Sequence, residues 1–125
     1  MVDKRDPLTY DIIGAAIEIH RELGPVLLES AYEHFLCLEL AHRGLSFRRQ
    51  VTLPVVYKGH KFDLGFRPDL IISEKVIVEL KCISKLIPLH DAQVLTYMKL
   101  SGIRTGLLIN FHSQPLIDGI KRFVL

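Results

Sequence analysis

Apolar residues at Ile12, Ala16, Ile19 and Leu23 recur every three to four positions, with Thr9 placed to cap the run and Gly24-Pro25 to stop it, which predicts a first helix. A second helical pattern runs from Leu27 to Arg43 through Leu28, Ala31, Phe35 and Leu38, and ends at Gly44, a residue that accepts the left-handed backbone at a helix exit. The period then shortens. The stretch "LSFRRQVTLPVVYKGHKFDLGF" is rich in Val, Phe, Tyr and Thr, with "KGH" where a hairpin would turn, and predicts two antiparallel strands. "RPDLII", "SEK" and "VIVELK" predict the end of the second strand, a turn and a third strand. Pro88 opens a helix through Leu89, Ala92, Leu95 and Leu100 to Gly102, "TGLLINF" reads as a buried strand, and the tail as a helical turn through Ile117 and Ile120. This order predicts an α/β (α+β) fold: one domain over residues 1–125, with a central mixed sheet of about four strands flanked by helices.

Strand parity raises the first chemical question. Val76, Val78 and Leu80 share one face of their strand, while Ile77, Glu79 and Lys81 share the other. A three-residue loop at Ser73, Glu74 and Lys75 keeps Leu70, Ile72, Val76, Val78 and Leu80 together on one side, and it sets Asp69 directly opposite Glu79. Two like charges so placed are destabilising unless something offsets them, and a divalent cation would. Mg²⁺ and Mn²⁺ take one or two carboxylates, with water and phosphate oxygen completing the shell. Lys81, on the same face, is placed to act as a point charge beside them. The alternative is a solvated strand face on which Glu79 and Lys81 pair with each other or with Arg67.

Composition changes this picture little. Hydrophobic residues make up 49% of the chain and mean hydropathy is +0.26, enough for a core with apolar surface left for a second copy. A net charge of +2 neither requires nor forbids a polyanionic ligand. Arg48, Arg49, Lys58, Lys61 and Arg67 concentrate charge on the expected first hairpin, where they could track a phosphate backbone or simply be solvated. Cys37 and Cys82 lack the spacing of a zinc site or a disulfide framework and read as reduced thiols of a cytoplasmic protein. No export signal or membrane span is expected. No phosphate-cradling glycine loop, Ser-His-Asp order or exposed nucleophilic cysteine offers a competing chemistry. None of the six histidines has convincing zinc spacing, with His20 and His90 the outside candidates for a site.

Asp69 followed by Glu79-Leu80-Lys81, after a helix bearing Glu29 and before one bearing Gln93 and Tyr97, resembles the PD-(D/E)XK nuclease superfamily. More narrowly, "IIGAAIEIHRELGPVLLESAYE", "VELK" and "HDAQVLTYMKLSGIRTGLLINF" resemble its GxxExxY family, a likeness running from Thr9 to Val124. One position departs: Val26 stands where the family name has glycine, while Glu29 and Tyr32 are in place. The resemblance implies a restriction-endonuclease-like core in which Asp69, Glu79, the Leu80 carbonyl and Glu29 hold Mg²⁺ or Mn²⁺. Lys81 would orient or activate the attacking water, and Gln93 and Tyr97 would position the phosphate or the lysine. Arg48, Arg49, Arg67 and Tyr32 are the expected substrate contacts. The function implied is a metal-dependent nuclease acting on DNA rather than RNA, with a homodimer or a protein partner supplying specificity. The alternative is an inactive module on the same fold that binds nucleic acid or protein.

Overall fold

The computed structural model describes residues 6–25 and 28–125, so the expectations for Val26, for the helix start at Leu27 and for the first five residues lie outside the described residues. The first helix, α1 (Pro7–Leu23), begins two residues before its expected cap, because Pro7 needs no N–H acceptor and Asp6 takes the capping role. The Asp6 carboxylate accepts the Thr9 N–H at 3.4 Å, and Thr9 itself is buried in the first turn. Helix α2 (Glu29–His42) is followed by Gly44, whose φ is 72°. There the Gly44 N–H reaches the Ala41 carbonyl and the Leu45 N–H reaches the Leu40 carbonyl, closing the last turn.

Two expectations about strands need correction. The stretch read as two strands makes three: β1 (Phe47–Arg49), β2 (Val55–Tyr57) and β3 (His60–Phe62). Gln50 takes a left-handed backbone (φ 51°) and Pro54 can donate no ladder hydrogen bond, so the run breaks between β1 and β2. The turn at Lys58-Gly59 does form, with φ of 50° and 79°, but β2 and β3 pair only with each other. The tail is the second correction. A single 3-10 turn, Leu116–Gly119, gives way to a strand from Ile120, so the sheet has five strands rather than about four.

With β4 (Leu70–Ile72), β5 (Val76–Lys81), β6 (Thr105–Asn110) and β7 (Ile120–Val124) named, the sheet order is β1-β4-β5-β6-β7. Only β5 and β6 are parallel, and helix α3 (Pro88–Ser101) makes the crossover between them. On one face α1 and α2 pack over Leu70, Ile72, Val76, Val78, Leu80 and Leu107. On the other, Val94, Tyr97 and Met98 of α3 pack over Ile71, Ile77 and Leu108. Each fully buried aliphatic side chain contributes about 1.5–3 kcal/mol, so both faces of β5 hold it in place.

Helix α3 lies unusually close to the sheet at Gly106. A Cβ there would stand 2.7 Å from Met98 Sδ and 2.8 Å from Val94 Cγ1. Methionine can swing aside, but a β-branched valine in a helix has little freedom to do so. Gly106→Ala should therefore cost about 1–3 kcal/mol despite alanine's smaller loss of backbone entropy. An unchanged urea midpoint for this variant would show that the contact is looser than described.

Candidate active site

The site grows out of the β4–β5 hairpin. Ser73 and Glu74 turn the chain with φ of 52° and 56°, and Lys75 donates its N–H to the Ile72 carbonyl. The pairs are Ile72 with Val76, Ile71 with Ile77 and Leu70 with Val78, the register that apolar parity selects. One step further the ladder ends, and side chains replace the backbone. The Asp69 N–H donates to Glu79 Oε1 at 3.0 Å, and the Leu80 N–H donates to Asp69 Oδ2 at 2.8 Å. Each carboxylate thus satisfies an amide on the other strand.

This interlock holds a buried acid against a half-buried one. Glu79 is only 4% exposed, and burial first, then the charge of Asp69, pushes its carboxyl up to about 8. Lys81 Nζ lies 3.6 Å from Glu79 Oε2 and draws the value back in part. Lys81 gives its carbonyl to the Phe111 N–H at 2.9 Å, so by strand alternation the N–H and C=O of Leu80 both turn toward the β4 edge, beside Asp69.

From α2, Glu29 lies within electrostatic reach of this edge of the sheet. It is exposed, yet desolvation, followed by the charge of Asp69, raises its carboxyl above the ordinary range, with Lys81 opposing. From α3, Gln93 Nε2 donates to the Tyr97 hydroxyl at 3.1 Å. Burial and then the charge of Glu79 raise the Tyr97 phenol, which places it within electrostatic reach of the acid pair. Lys81, Gln93 and Tyr97 line one open cleft of about 510 Å³, shared with His90, Thr96 and Phe66. His90 Nδ1 accepts the Ile87 N–H at 3.0 Å and so caps the helix as well as lining the cleft, whereas His20 lies in a different pocket beside Leu116.

Tyr32 does not belong to this cleft. It is 0% exposed, stacked on Phe111 with centroids 4.1 Å apart, and its hydroxyl donates to the Gly24 carbonyl. A substrate cannot touch it; its packing fixes the entry of α2 instead. The expected basic hairpin is also divided. Arg48 and Arg49 sit on β1, where Arg48 is forked onto Glu74 (2.8 Å for both bonds) and Arg49 is paired with Glu33 at 2.8 Å. Lys58 and Lys61 lie apart on the β2–β3 ribbon, and Arg67 is exposed just ahead of Asp69.

Three residues matter here that the sequence reading did not single out. Glu33 is a buried carboxylate one helical turn after Glu29, a spacing that puts both on one face of α2. Gln50 bridges it to the site, donating from Nε2 to Glu33 Oε1 at 2.6 Å and to Asp69 Oδ1 at 3.2 Å. Its backbone N–H also binds the Asp69 carbonyl at 3.0 Å. Asn110, a polar break in "LLINF", binds both backbone groups of Ile83, and so fixes the chain just after Lys81 and Cys82. Gln50→Ala should cost about 1–3 kcal/mol, because buried Glu33 loses a donor, and equilibrium urea denaturation would read the loss.

The donor set suits a hard divalent cation. Among the described residues no three of His, Cys, Asp or Glu form a ready-made shell. Even so, Asp69 and Glu79 each give only one oxygen to a backbone amide; Asp69 Oδ1 accepts just the Gln50 side chain at 3.2 Å and Glu79 Oε2 lies 3.6 Å from Lys81 Nζ, and Mg²⁺ or Mn²⁺ commonly takes only one or two carboxylates. Thiolate chemistry finds no support: Cys37 is buried on the inner face of α2, and burial raises the Cys82 thiol.

No helix among the described residues is long and apolar enough to cross a membrane. A family model described as the PD-(D/E)XK nuclease superfamily matches residues 6–123. No curated protein and no solved structure matches the chain.

Proposed function

The chain belongs to the PD-(D/E)XK nuclease superfamily, and from that premise we propose that it hydrolyses phosphodiester bonds of DNA with Mg²⁺ or Mn²⁺. The observation that carries this is the interlocked Asp69–Glu79 pair with Lys81 3.6 Å from Glu79, a lysine that also lines an open cleft. Asp69, Glu79 and the Leu80 carbonyl would hold the cation, with Glu29 approaching from α2. When bound, the cation stabilises negative charge developing on the phosphate and favours ionisation of water.

The chain's own residues do the rest. Water attacks phosphorus in line, a new P–O bond forms, and the ester oxygen opposite leaves with the bonding pair and a proton. The Lys81 ammonium, carrying donors and no lone pair, holds the attacking oxygen or a phosphate oxygen. Gln93 and Tyr97 are placed on the facing helix to position the phosphate, and Arg67 is the exposed arginine nearest Asp69 in sequence. The GxxExxY likeness is part of this proposal, with its glutamate, Glu29, at the site and its tyrosine, Tyr32, in the core. A second copy or a protein partner would refine specificity, a reading supported by the exposed Leu28 and Leu38.

The test is a cleavage panel of linear, circular, branched and single-stranded DNA plus RNA, run with Mg²⁺, Mn²⁺ and chelator. Cation-dependent cleavage of a DNA substrate is expected. Binding without cleavage across the whole panel would instead establish a docking module on the nuclease fold.

A further inference from the structure

The β2–β3 ribbon has no place in the five-stranded sheet. It is rooted where Leu53, buried against the α3 core, donates its N–H to the Phe66 carbonyl at 2.8 Å. Beyond that root every residue from Val56 to Gly65 is exposed, so both faces meet solvent. A lone two-stranded ribbon is at best marginally stable, and this one still carries large apolar side chains into water: Tyr57 is 63% and Phe62 45% exposed. The register pairs Val55 with Phe62 and Tyr57 with His60, which puts both aromatic rings on one face.

The charges of the ribbon are mostly positive. Lys58 Nζ lies 5.5 Å from the Tyr57 ring centroid, and Lys61 projects on the opposite face. The one acid of the protruding segment, Asp63, accepts the Gly65 N–H at 3.1 Å. Leu64, Gly65 and Phe66 then continue directly into the wall of the cleft that holds Lys81. Two lysines are too few to hold a duplex by charge alone, since affinity for it is built from many neutralised phosphates. Exposed rings, by contrast, stack on any base whose faces are free, and in a duplex those faces are covered. A second copy is a poorer occupant, because face-to-face ribbons would bring like charges together.

We propose that this ribbon is a nucleic-acid-gripping arm whose ligand has unpaired bases: the bases stack on Tyr57 and Phe62, and a phosphate meets Lys58 beside the Tyr57 ring. The inference rests on the nuclease reading only for where the held strand leads, since the grip itself needs neither cation nor cleavage.

Fluorescence anisotropy of the full chain in chelator, with labelled oligothymidylate and a duplex of the same length, tests it. Wild type should favour the single strand, and Tyr57→Ala and Phe62→Ala should each weaken that binding about tenfold or more with little effect on the duplex. Lys58→Gln should leave stacking intact and lower the slope of log affinity against log salt by about 0.7. All three sites are exposed, and circular dichroism would show that each variant folds. Equal affinity of wild type and both aromatic variants, an equal loss on both ligands, or no binding by wild type overturns the arm. A fall in self-association as the sole change would assign the ribbon to an interface between copies, and equally overturns it. The cleavage panel judges the nuclease reading separately, because catalysis by an armless protein and gripping by an inactive one give opposite results in the two assays.

Discussion

Lys81→Met should lower cleavage about a hundredfold or more while the protein stays folded and still binds Mn²⁺, the scale expected when one positioned electrostatic group is removed from an active site. Methionine keeps most of the stem that Lys81 buries between β5 and the cleft, so the change is chiefly the loss of the ammonium 3.6 Å from Glu79 Oε2. With that charge gone, a cation held by Asp69 and Glu79 meets less repulsion, and its affinity should hold or rise. Glu79→Gln is the complementary variant. Its amide oxygen can still accept the Asp69 N–H, so the strands stay tied, but metal affinity and cleavage should fall together. A Lys81→Met protein cutting at the wild-type rate under saturating metal would remove the lysine from the mechanism.

Metal-free protein should lose stability as pH rises from about 5 to about 8, and a cation should restore it. Glu79 ionises near its ordinary 4.5 in the unfolded chain but only at about 8 in the folded one. Below that window both states hold the proton and there is no difference. Within it the unfolded chain has released a proton that the folded chain retains, so each pH unit removes up to about 1.4 kcal/mol from folding. Above it both states are ionised and the loss stops. Because binding displaces the same proton, cation affinity should climb up to about tenfold per pH unit across the window. Calorimetry in two buffers of different ionisation heat would count the proton released. A urea midpoint flat from pH 5 to 8 without metal would show that Glu79 is ionised throughout.

The centre of the sheet was legible because both faces of β5 are buried and its neighbours must match it. A one-residue slip would have turned Val76, Val78 and Leu80 into the α3 layer, and that penalty is visible in the letters alone. The edges were not legible. β1 and β7 carry Arg48, Arg49, Lys121 and Arg122 on half-exposed strands, where charge and apolar residues follow no clean alternation. The site divides the same way. Glu79 and Lys81 inherit their positions from strand parity, and Gln93 and Tyr97 theirs from helical spacing. Gln50 reaches Asp69 only because its own backbone turns left-handed between strands, which no local pattern announces. Tyr32 misled for a related reason: a motif position says nothing about which way a helix face is turned, and here it turns inward onto Phe111.

The reciprocal bonding of Asp69 and Glu79 means that the acids of this site also serve as the last rungs of a ladder. Alanine at either position would fray the end of β4 as well as remove a charge, so a dead variant would confound chemistry with loosening. The same coupling supplies an internal reporter. The Leu80 amide hydrogen is bonded to Asp69 Oδ2 rather than to backbone, so its rate of exchange with deuterium responds to the state of that carboxylate. Anything that draws Asp69 away from the strand, whether a cation, a phosphate or a mutation at Gln50, should appear first as faster exchange at this single amide, while those of Ile77 and Val78 stay slow.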